Sequence, residues 1–189
     1  MNQWQTHSSR IAYENPFMRV HEDQAVNPAG EDCIYGYVES TEDSAYIVPV
    51  DTDGGTYLIR QYRYPHQNNY WEVPAGRIPY DEDIVEGATR ELLEETGLQA
   101  HSVTQVGELL STPGITNFSS KIFLATELSK VSDELDVADG ISATKRVSAD
   151  EFHDMIANGE VQCATSIAAY YLAQRAFAQM VHPPQEGAQ

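Results

Sequence analysis

Three glutamates stand within five residues of one another near the middle of the chain: Glu91, Glu94 and Glu95, in the segment RELLEET. A helix advances about 100° per residue, so the three carboxylates fall within one arc of roughly 100° on its surface. Like charges this close repel one another unless a positive charge lies between them. Because hard divalent cations prefer oxygen ligands, the spacing predicts a site for such a cation, whereas any single glutamate could belong to a solvated helix face.

The overall charge restricts the ligand that such a site could take. The chain has 189 residues, of which 29 are acidic and 11 basic, and its formal net charge is -18. This field repels polyanions and argues against nucleic-acid binding. A local group of arginines between positions 60 and 90 would suit a small anionic ligand bound through a metal ion. Its members are Arg60, Arg63, Arg77 and Arg90.

Composition also predicts the compartment. The first ten residues, MNQWQTHSSR, lack the apolar core of a signal peptide, and no run of 18 apolar residues occurs, so we expect a cytoplasmic protein that does not contact a membrane. The two cysteines, Cys33 and Cys163, suit reduced thiols better than a disulfide framework or a zinc site.

The glutamates must be positioned by a helix, and the pattern predicts one over residues 83–96. Asp83 can cap its start and Gly97 can end it. Upstream, the first 40 residues read as two or three strands of a meander, and AYIVPV and TYLIRQYRY on either side of DTDGG predict a β-hairpin. WEVPAG reads as a short strand stopped by Pro74 and Gly76.

The second half of the chain completes a mixed architecture. SVTQVGELL and KIFLATEL read as strands, VSDELDVADG as an acidic loop, ISATKRV as a strand, and the segments from SADEFHDMIANG onward as two helices. We therefore expect an α+β fold, an α/β/α sandwich with helices on both faces of a mixed sheet. The expected division is an N-terminal β extension over residues 1–42, a main domain over residues 43–182, and a disordered tail over residues 183–189.

The segment GRIPYDEDIVEGATRELLEETGL, residues 76–98, resembles the Nudix box of the Nudix hydrolase superfamily. All nine specified positions of that motif agree: Gly76, Glu82, Arg90, Glu91, Leu92, Glu94, Glu95, Gly97 and Leu98. The resemblance implies the Nudix fold, in which helices cover both faces of a mixed sheet.

The resemblance also implies a metal-dependent hydrolase that uses Mg²⁺ or Mn²⁺. Glu91 and Glu95 would be the chief ligands, Glu94 would share the metal or bound water as a further catalytic group, and the carbonyl of Ala75 would complete the shell. The metal would polarise a phosphoryl oxygen and lower the pKa of a water that attacks phosphorus in line.

Four residues of the box have implied structural roles. Gly76 would let the chain pass close to the metal site, and Gly97 would end the helix. Glu82 and Arg90 would pair across the loop and the helix and so hold the box in shape.

Sequence around the box resembles the branch of the ADP-ribose and nucleoside-diphosphate-sugar pyrophosphatases: VPAGR before it, IRQYRY upstream, STPG with Pro113 downstream, and YENPF in the N-terminal segment. In that branch the N-terminal strands commonly mediate a homodimer, which we expect here. Arg63 and Arg60 would contact the diphosphate, Glu72 a base or sugar edge, and Pro113 the substrate. The candidates for stacking on a base are Trp4, Tyr13, Phe17 and Trp71.

The catalytic base in this branch comes from a mobile acidic loop, which matches VSDELDVADGI. Glu134, Asp136 and Asp139 are the contenders, and counting back from Ile141 favours Asp139. The turn ITNFSSK has no acidic residue where many relatives have one, which leaves the choice of sugar open.

The expected function is hydrolysis of the diphosphate bond of nucleoside-diphosphate sugars, ADP-ribose first, to a nucleoside monophosphate and a sugar phosphate. The same chemistry on GDP-mannose, on a dinucleotide such as NADH or on an oxidised nucleoside triphosphate stays open. A nucleotide-sugar sensor that keeps the fold without catalysis is a further alternative. A calcium-binding structural protein is disfavoured, because no segment has the spacing of a calcium loop.

Overall fold

A computed structural model describes residues 3–183 of the chain. The predicted tail therefore lies outside the described residues from position 184 onward. The elements, in order, are β1 (Gln5–Asn15), β2 (Met18–Val26), β3 (Asp32–Ser40), β4 (Asp43–Pro49), β5 (Thr56–Arg63), a 3-10 turn (Tyr64–His66), β6 (Asn68–Glu72), β7 (Ala75–Ile78), α1 (Ile84–Thr96), β8 (Leu98–Leu110), β9 (Ser119–Lys130), β10 (Ile141–Val147), α2 (Ala149–Ala157) and α3 (Ala164–Val181). Among the described residues, no helix is long and apolar enough to cross a membrane.

The N-terminal strands form an antiparallel sheet of their own, in the order β1-β2-β3. This confirms the predicted meander. The sheet contacts the loop between β8 and β9, where the hydroxyl of Tyr35 donates to the carbonyl of Gly114 at 2.7 Å and the N–H of Val38 donates to the carbonyl of Ile115 at 2.9 Å. The boundary at residue 42 between an extension and a main domain stays a prediction.

The rest of the chain contains a four-stranded sheet, β7-β4-β9-β8, and a three-stranded sheet, β10-β5-β6. Strand β4 pairs parallel with β9 and antiparallel with β7, so the larger sheet is mixed. Alternate residues of β4 point to opposite faces: Ala45 and Ile47 pack with Leu92 of α1, and Val48 packs with Tyr170 of α3. Helices thus cover both faces, and the predicted fold class is confirmed.

The predicted β-hairpin around DTDGG is wrong in its pairing. The chain does turn there, since the N–H of Gly54 donates to the carbonyl of Asp51, but Val50 and Thr56 form only an isolated bridge. The hydrogen bonds of β4 go to β7 and β9, while β5 pairs with β6 and β10. The apolar residues of both strands are buried, and local alternation does not show which strand is the partner.

The short strand predicted in WEVPAG stops before Pro74, as expected, but the chain then resumes as a second strand. Strand β6 ends at Glu72 and β7 begins at Ala75, and the two belong to different sheets. Pro74 lacks the N–H needed to continue a ladder, and its carbonyl accepts from the N–H of Ile47 at 2.8 Å. Gly76 therefore lies within β7 instead of stopping a strand, and a short crossing joins the two sheets beside α1.

Helix α1 begins and ends as its sequence predicts. The carboxylate of Asp83 accepts from the N–H groups of Val85 at 2.9 Å and Glu86 at 3.1 Å. Gly97 ends the helix in the left-handed conformation, with φ of 66°. Burial of Ala88 and Leu92 fixes the rotation of the helix, and Glu91 and Glu95 are buried along with them.

Candidate active site

The most enclosed carboxylate of the box belongs to Glu95, which is 2% exposed. Its Oε2 accepts from the N–H of Ala75 at 2.8 Å, while its Oε1 is buried without a hydrogen-bond partner among the described residues. Burial raises the pKa of Glu95 to about 8; the Ala75 N–H and the charge of Arg63 oppose this rise, and the charges of Glu91 and Asp139 add to it. A buried acid with an unsatisfied oxygen is an environment that a cation would relieve.

Glu91 lies against β7 and is 9% exposed. A β-carbon added to Gly76 would overlap the carboxyl group of Glu91 and would lie 2.5 Å from its Cγ. Burial raises the pKa of Glu91, Arg90 opposes the rise, and the charges of Glu94 and Asp139 add to it. Gly76 is therefore needed here for space, so that the glutamate of the helix can pack against the strand.

Arg90 joins the box glutamates into one network. Its Nε and Nη2 donate to the two oxygens of Glu82 at 3.0 Å each, as predicted for this pair. Its Nη1 donates to Glu91 at 2.9 Å and to Glu94 at 2.8 Å. These contacts raise the pKa of Arg90 and lower that of Glu82. Part of the positive charge that the crowded glutamates require thus comes from the same helix.

The box residues fit a divalent cation without forming a closed cage. Among residues 3–183, no group of three acidic, histidine or cysteine side chains is close enough to hold a metal ion. Glu94 points toward Arg90, and its side chain is 47% exposed. Glu91 and Glu95 nevertheless supply hard oxygen donors whose pKa values are raised, and the unpartnered Oε1 of Glu95 could accept a cation. The full ligand set with Glu94 and the Ala75 carbonyl stays a prediction.

Arg63 and Glu72 form a half-buried ion pair next to this cluster. The Nε and Nη2 of Arg63 donate to the two oxygens of Glu72 at 2.8 Å each, and Glu72 is 2% exposed. This pairing raises the pKa of Arg63. Both oxygens of Glu72 are used, so its predicted contact with a base or sugar edge has little support, whereas the Nη1 of Arg63 has no partner in the described part of the chain. Arg60 is exposed, its backbone carbonyl accepts from the hydroxyl of Ser142 at 3.1 Å, and its guanidinium has no hydrogen-bond partner within residues 3–183.

The acidic loop between β9 and β10 brings one of its three candidates toward the glutamates. The charge of Asp139 contributes to the raised pKa of both Glu91 and Glu95. Asp136 shapes the loop, because its Oδ1 accepts from the N–H groups of Ala138 at 3.0 Å and Asp139 at 3.2 Å. The remaining candidate, Glu134, is exposed.

Gln61 is a site residue that the sequence reasoning missed. It is 7% exposed, its Nε2 donates to the carbonyl of Asp139 at 3.0 Å, and its Oε1 is buried with no partner in residues 3–183. The amide orientation is fixed, because the opposite one would set two oxygens against each other. One feature of the sequence could have indicated Gln61. It is a glutamine on the same face of β5 as the buried Ile59 and as Arg63, each two residues away.

Two predicted substrate contacts pack against parts of the chain other than the box glutamates. Phe17 is 58% exposed and packs under the guanidinium of Arg77, whose Cζ is 4.9 Å from the ring centroid. Pro113 lines a cavity of about 290 Å³ between the N-terminal sheet and the loop after β8, which we call the aromatic cavity. Its other walls include Trp4, Asp23, Tyr35 and Tyr37.

The comparison with protein families decides the class of this site. Residues 40–164 match the NUDIX domain, and residues 4–38 match the nucleoside diphosphate sugar hydrolase N-terminal domain. The chain belongs to the Nudix family. The resemblance found in the box is thereby confirmed, and the roles of Glu91, Glu95 and Gly76 in its active site stay predictions.

Individual relatives agree with this assignment. The ADP-ribose pyrophosphatase of Bacillus subtilis (strain 168) is 31% identical over 129 residues, which cover 67% of this Nudix chain and 69% of that protein. The ADP-ribose pyrophosphatase of Mycobacterium tuberculosis (strain ATCC 25618 / H37Rv) is 33% identical over 129 residues, with coverages of 68% and 62%. The matched part thus spans about two thirds of these relatives.

A solved structure described as an ADP compounds hydrolase superposes with a TM-score of 0.83 at 21% identity, covering 96% of this chain and 97% of that one. This likeness supports the fold alone. The predicted enzyme class, a pyrophosphohydrolase of the Nudix superfamily, agrees with the family and with the named relatives.

Proposed function

We propose that this Nudix protein hydrolyses the diphosphate bond of nucleoside-diphosphate sugars, with ADP-ribose as the first substrate, and releases a nucleoside monophosphate and a sugar phosphate. The observation that carries the proposal is the buried pair Glu91 and Glu95 beside the guanidinium of Arg63; the Oε1 of Glu95 has no hydrogen-bond partner within residues 3–183. A cation and a guanidinium both attract an anionic diphosphate and so offset the repulsion from an acidic protein.

Mg²⁺ or Mn²⁺ would be held by Glu91 and Glu95, with Glu94 and the carbonyl of Ala75 as further ligands. A divalent cation bound there supplies Lewis acidity and lowers the pKa of a water. The residues of the chain prepare this site: the N–H of Ala75 orients Glu95, Gly76 leaves room for Glu91, and Arg90 holds the carboxylates of Glu91 and Glu94.

The protein groups around the diphosphate have separate tasks. Arg63 donates its free Nη1 to a phosphate oxygen while Glu72 fixes the other edge of the guanidinium. Asp139 accepts the proton of the attacking water, and Gln61 holds the backbone of Asp139 near the glutamates. Glu134 is an exposed residue of the same loop and is the second candidate base.

The nucleoside half fits the aromatic cavity better than the neighbourhood of the glutamates. Trp4 and Tyr35 form an edge-to-face pair with centroids 5.2 Å apart, and Pro113 also lines this cavity. Flat aromatic and proline surfaces suit a purine ring. One face of the Phe17 ring already meets the guanidinium of Arg77, which makes Phe17 a weaker candidate for stacking.

We also propose a cytoplasmic homodimer built through the N-terminal strands. Every residue of β1 except Asn15 is exposed, and large apolar side chains face solvent on this sheet: Trp4, Ile11, Tyr13, Phe17 and Ile34 are each at least 48% exposed. A patch of this kind is typical of a protein interface. Light scattering after size exclusion tests the assembly, and a monomer at micromolar concentration would contradict it.

A product analysis tests the proposed activity. The protein is incubated with ADP-ribose, GDP-mannose, NADH or an oxidised nucleoside triphosphate in the presence of Mg²⁺ or Mn²⁺. We expect AMP and ribose 5-phosphate from ADP-ribose; pyrophosphate from the triphosphate as the main product would overturn the proposal. Tight binding of ADP-ribose without cleavage would identify a sensor instead.

A matched pair of variants separates catalysis from helix charge. Glu95→Gln removes a buried box carboxylate, whereas Glu86→Gln removes an exposed one from the first turn of the same helix. We expect the first variant to lose at least about a hundredfold in kcat and the second to retain the wild-type rate.

A further inference from the structure

A second cavity lies next to the glutamates, and neither the metal site nor the aromatic cavity uses it. Its volume is about 460 Å³, and we call it the Arg63 cavity. The walls that matter here are Tyr46, Arg63, His66, Tyr70, Glu72 and Gln162. The volume is sufficient for a pentose or hexose phosphate and is within the range of small-molecule sites.

The cavity adjoins the metal site along two strands. Tyr46 of β4 is the register partner of Ala75, whose N–H holds Glu95. Arg63, on another wall, is near enough for its charge to act on Glu95. A diphosphate bound between the glutamates and Arg63 therefore has one end directed at this cavity.

The ion pair on its wall determines which ligand the cavity can accept. Glu72 would repel a phosphate if its carboxylate were free, but both of its oxygens accept from Arg63. The Nη1 edge of Arg63 has no partner within residues 3–183. The wall thus presents a positive donor edge backed by a neutralised acid, and such an edge suits a phosphate oxygen.

The remaining polar groups suit hydroxyls. The Nε2 of Gln162 donates to the carbonyl of Gly159 at 2.8 Å, so the second hydrogen and the oxygen of this amide stay available. Burial raises the pKa of Tyr46 to about 12, so its phenol remains a hydrogen-bond donor. Tyr70 already meets His66 edge to face, with centroids 5.9 Å apart, which makes its hydroxyl a better contact than its ring.

We propose that the Arg63 cavity binds the sugar phosphate half of the substrate and selects among sugars. The proposal rests on the proposed function, because it assigns the two halves of a nucleoside-diphosphate sugar to two different cavities. Hydroxyls of the sugar meet Gln162 and Tyr70, while the phosphate attached to the sugar meets the Nη1 of Arg63.

Binding of the two separate products tests this assignment without requiring turnover. Ribose 5-phosphate and AMP are titrated into the Glu95→Gln protein, with Mg²⁺ present, and followed by ligand-detected NMR. Gln162→Ala and Tyr70→Phe are each expected to weaken the binding of ribose 5-phosphate about five- to tenfold, which corresponds to the loss of one hydrogen bond. The affinity for AMP is expected to stay within twofold of its original value. Tyr64→Phe is the matched control, since Tyr64 is 82% exposed and does not line the cavity.

The possible outcomes are separable from failure of the proposed function. If AMP loses affinity in Gln162→Ala and ribose 5-phosphate does not, the cavity holds the nucleotide half and the proposal is overturned. Unchanged affinity for both products in both variants overturns it as well. The wild-type protein could cleave no nucleoside-diphosphate sugar while the variants still bind ribose 5-phosphate, but not AMP, more weakly. In that case the cavity assignment stands and the proposed reaction fails.

Discussion

Arg63 and Glu72 are nine positions apart in sequence and are joined by two hydrogen bonds of 2.8 Å each across the β5–β6 pair. The arginine reaches solvent, with a side chain that is 35% exposed, whereas the glutamate side chain is 3% exposed. The glutamate therefore sets the direction of the guanidinium.

Glu72→Gln should raise KM for ADP-ribose about tenfold and change kcat less, because Arg63 keeps its charge but loses its fixed orientation. Steady-state kinetics over a range of substrate concentrations provide the measurement. Glu22→Gln is a control, because it breaks the exposed Arg10–Glu22 pair of the N-terminal sheet. An equal rise in KM for both variants would mean that Glu72 acts only through the net charge of the protein and not by orienting Arg63.

Gly76→Ala should inactivate the protein more than it unfolds it. The added carbon overlaps Glu91, and this side chain can escape only by leaving its position against β7. We expect kcat to fall at least about a hundredfold and the free energy of unfolding to fall by about 1–3 kcal/mol, measured by urea denaturation. In the control, Gly36→Ala, the new carbon meets its nearest neighbour, the carbonyl of His21, at 3.8 Å.

Without metal, the free energy of unfolding should decrease as pH rises from about 5 to 8. The pKa of Glu95 is about 8 in the folded chain, against an ordinary value of 4.5, so the folded state retains a proton that the unfolded chain releases in this range. The slope due to this residue is at most about 1.4 kcal/mol per pH unit.

The measurement is urea denaturation in chelator at several pH values, for the wild type and for Glu95→Gln. Subtracting the two curves removes the contributions of other groups. A difference that is flat between pH 5 and 8 would show that Glu95 is ionised in the metal-free protein.

Gln61→Leu should lower kcat about tenfold or more with little change in KM, because the leucine cannot hold the carbonyl of Asp139. Asp139→Asn should lower kcat further and remove the acidic limb of its pH profile, as expected for loss of a general base. Asp133→Asn is the control in the same loop, since its side chain is fully exposed, at 100%. If the pH profile of kcat is unaltered in Asp139→Asn but loses its acidic limb in Glu134→Gln, Glu134 is the general base instead of Asp139.

Local sequence rules predicted the box helix well. The cap at Asp83 and the turn at Gly97 depend only on residues within one helical turn, and the buried stripe depends on spacing alone. The same rules failed at Val50 and Thr56, where a turn was predicted correctly and the pairing of the flanking strands was not. Strand partners are selected by burial across the whole domain, which no local window contains.

The partners of individual side chains were predicted only where a family motif specifies them. The pairing of Arg90 with Glu82 follows from the Nudix box motif. Glu72 was predicted to meet substrate because nothing in its neighbourhood indicates that Arg63 returns to it across a hairpin. Gln61 was missed because an uncharged amide in a strand gives no chemical signal until the loop bearing Asp139 is seen against it.

The four hydrogen bonds of Arg90 also affect how the protein folds in the absence of metal. Since one guanidinium already offsets part of the mutual repulsion of the box carboxylates, we expect this helix to dock in the folding chain before any divalent cation binds. A divalent cation could then bind to the folded helix and dissociate from it without unfolding the protein. The supply of metal in the cell would therefore change the rate of catalysis and not the amount of folded protein.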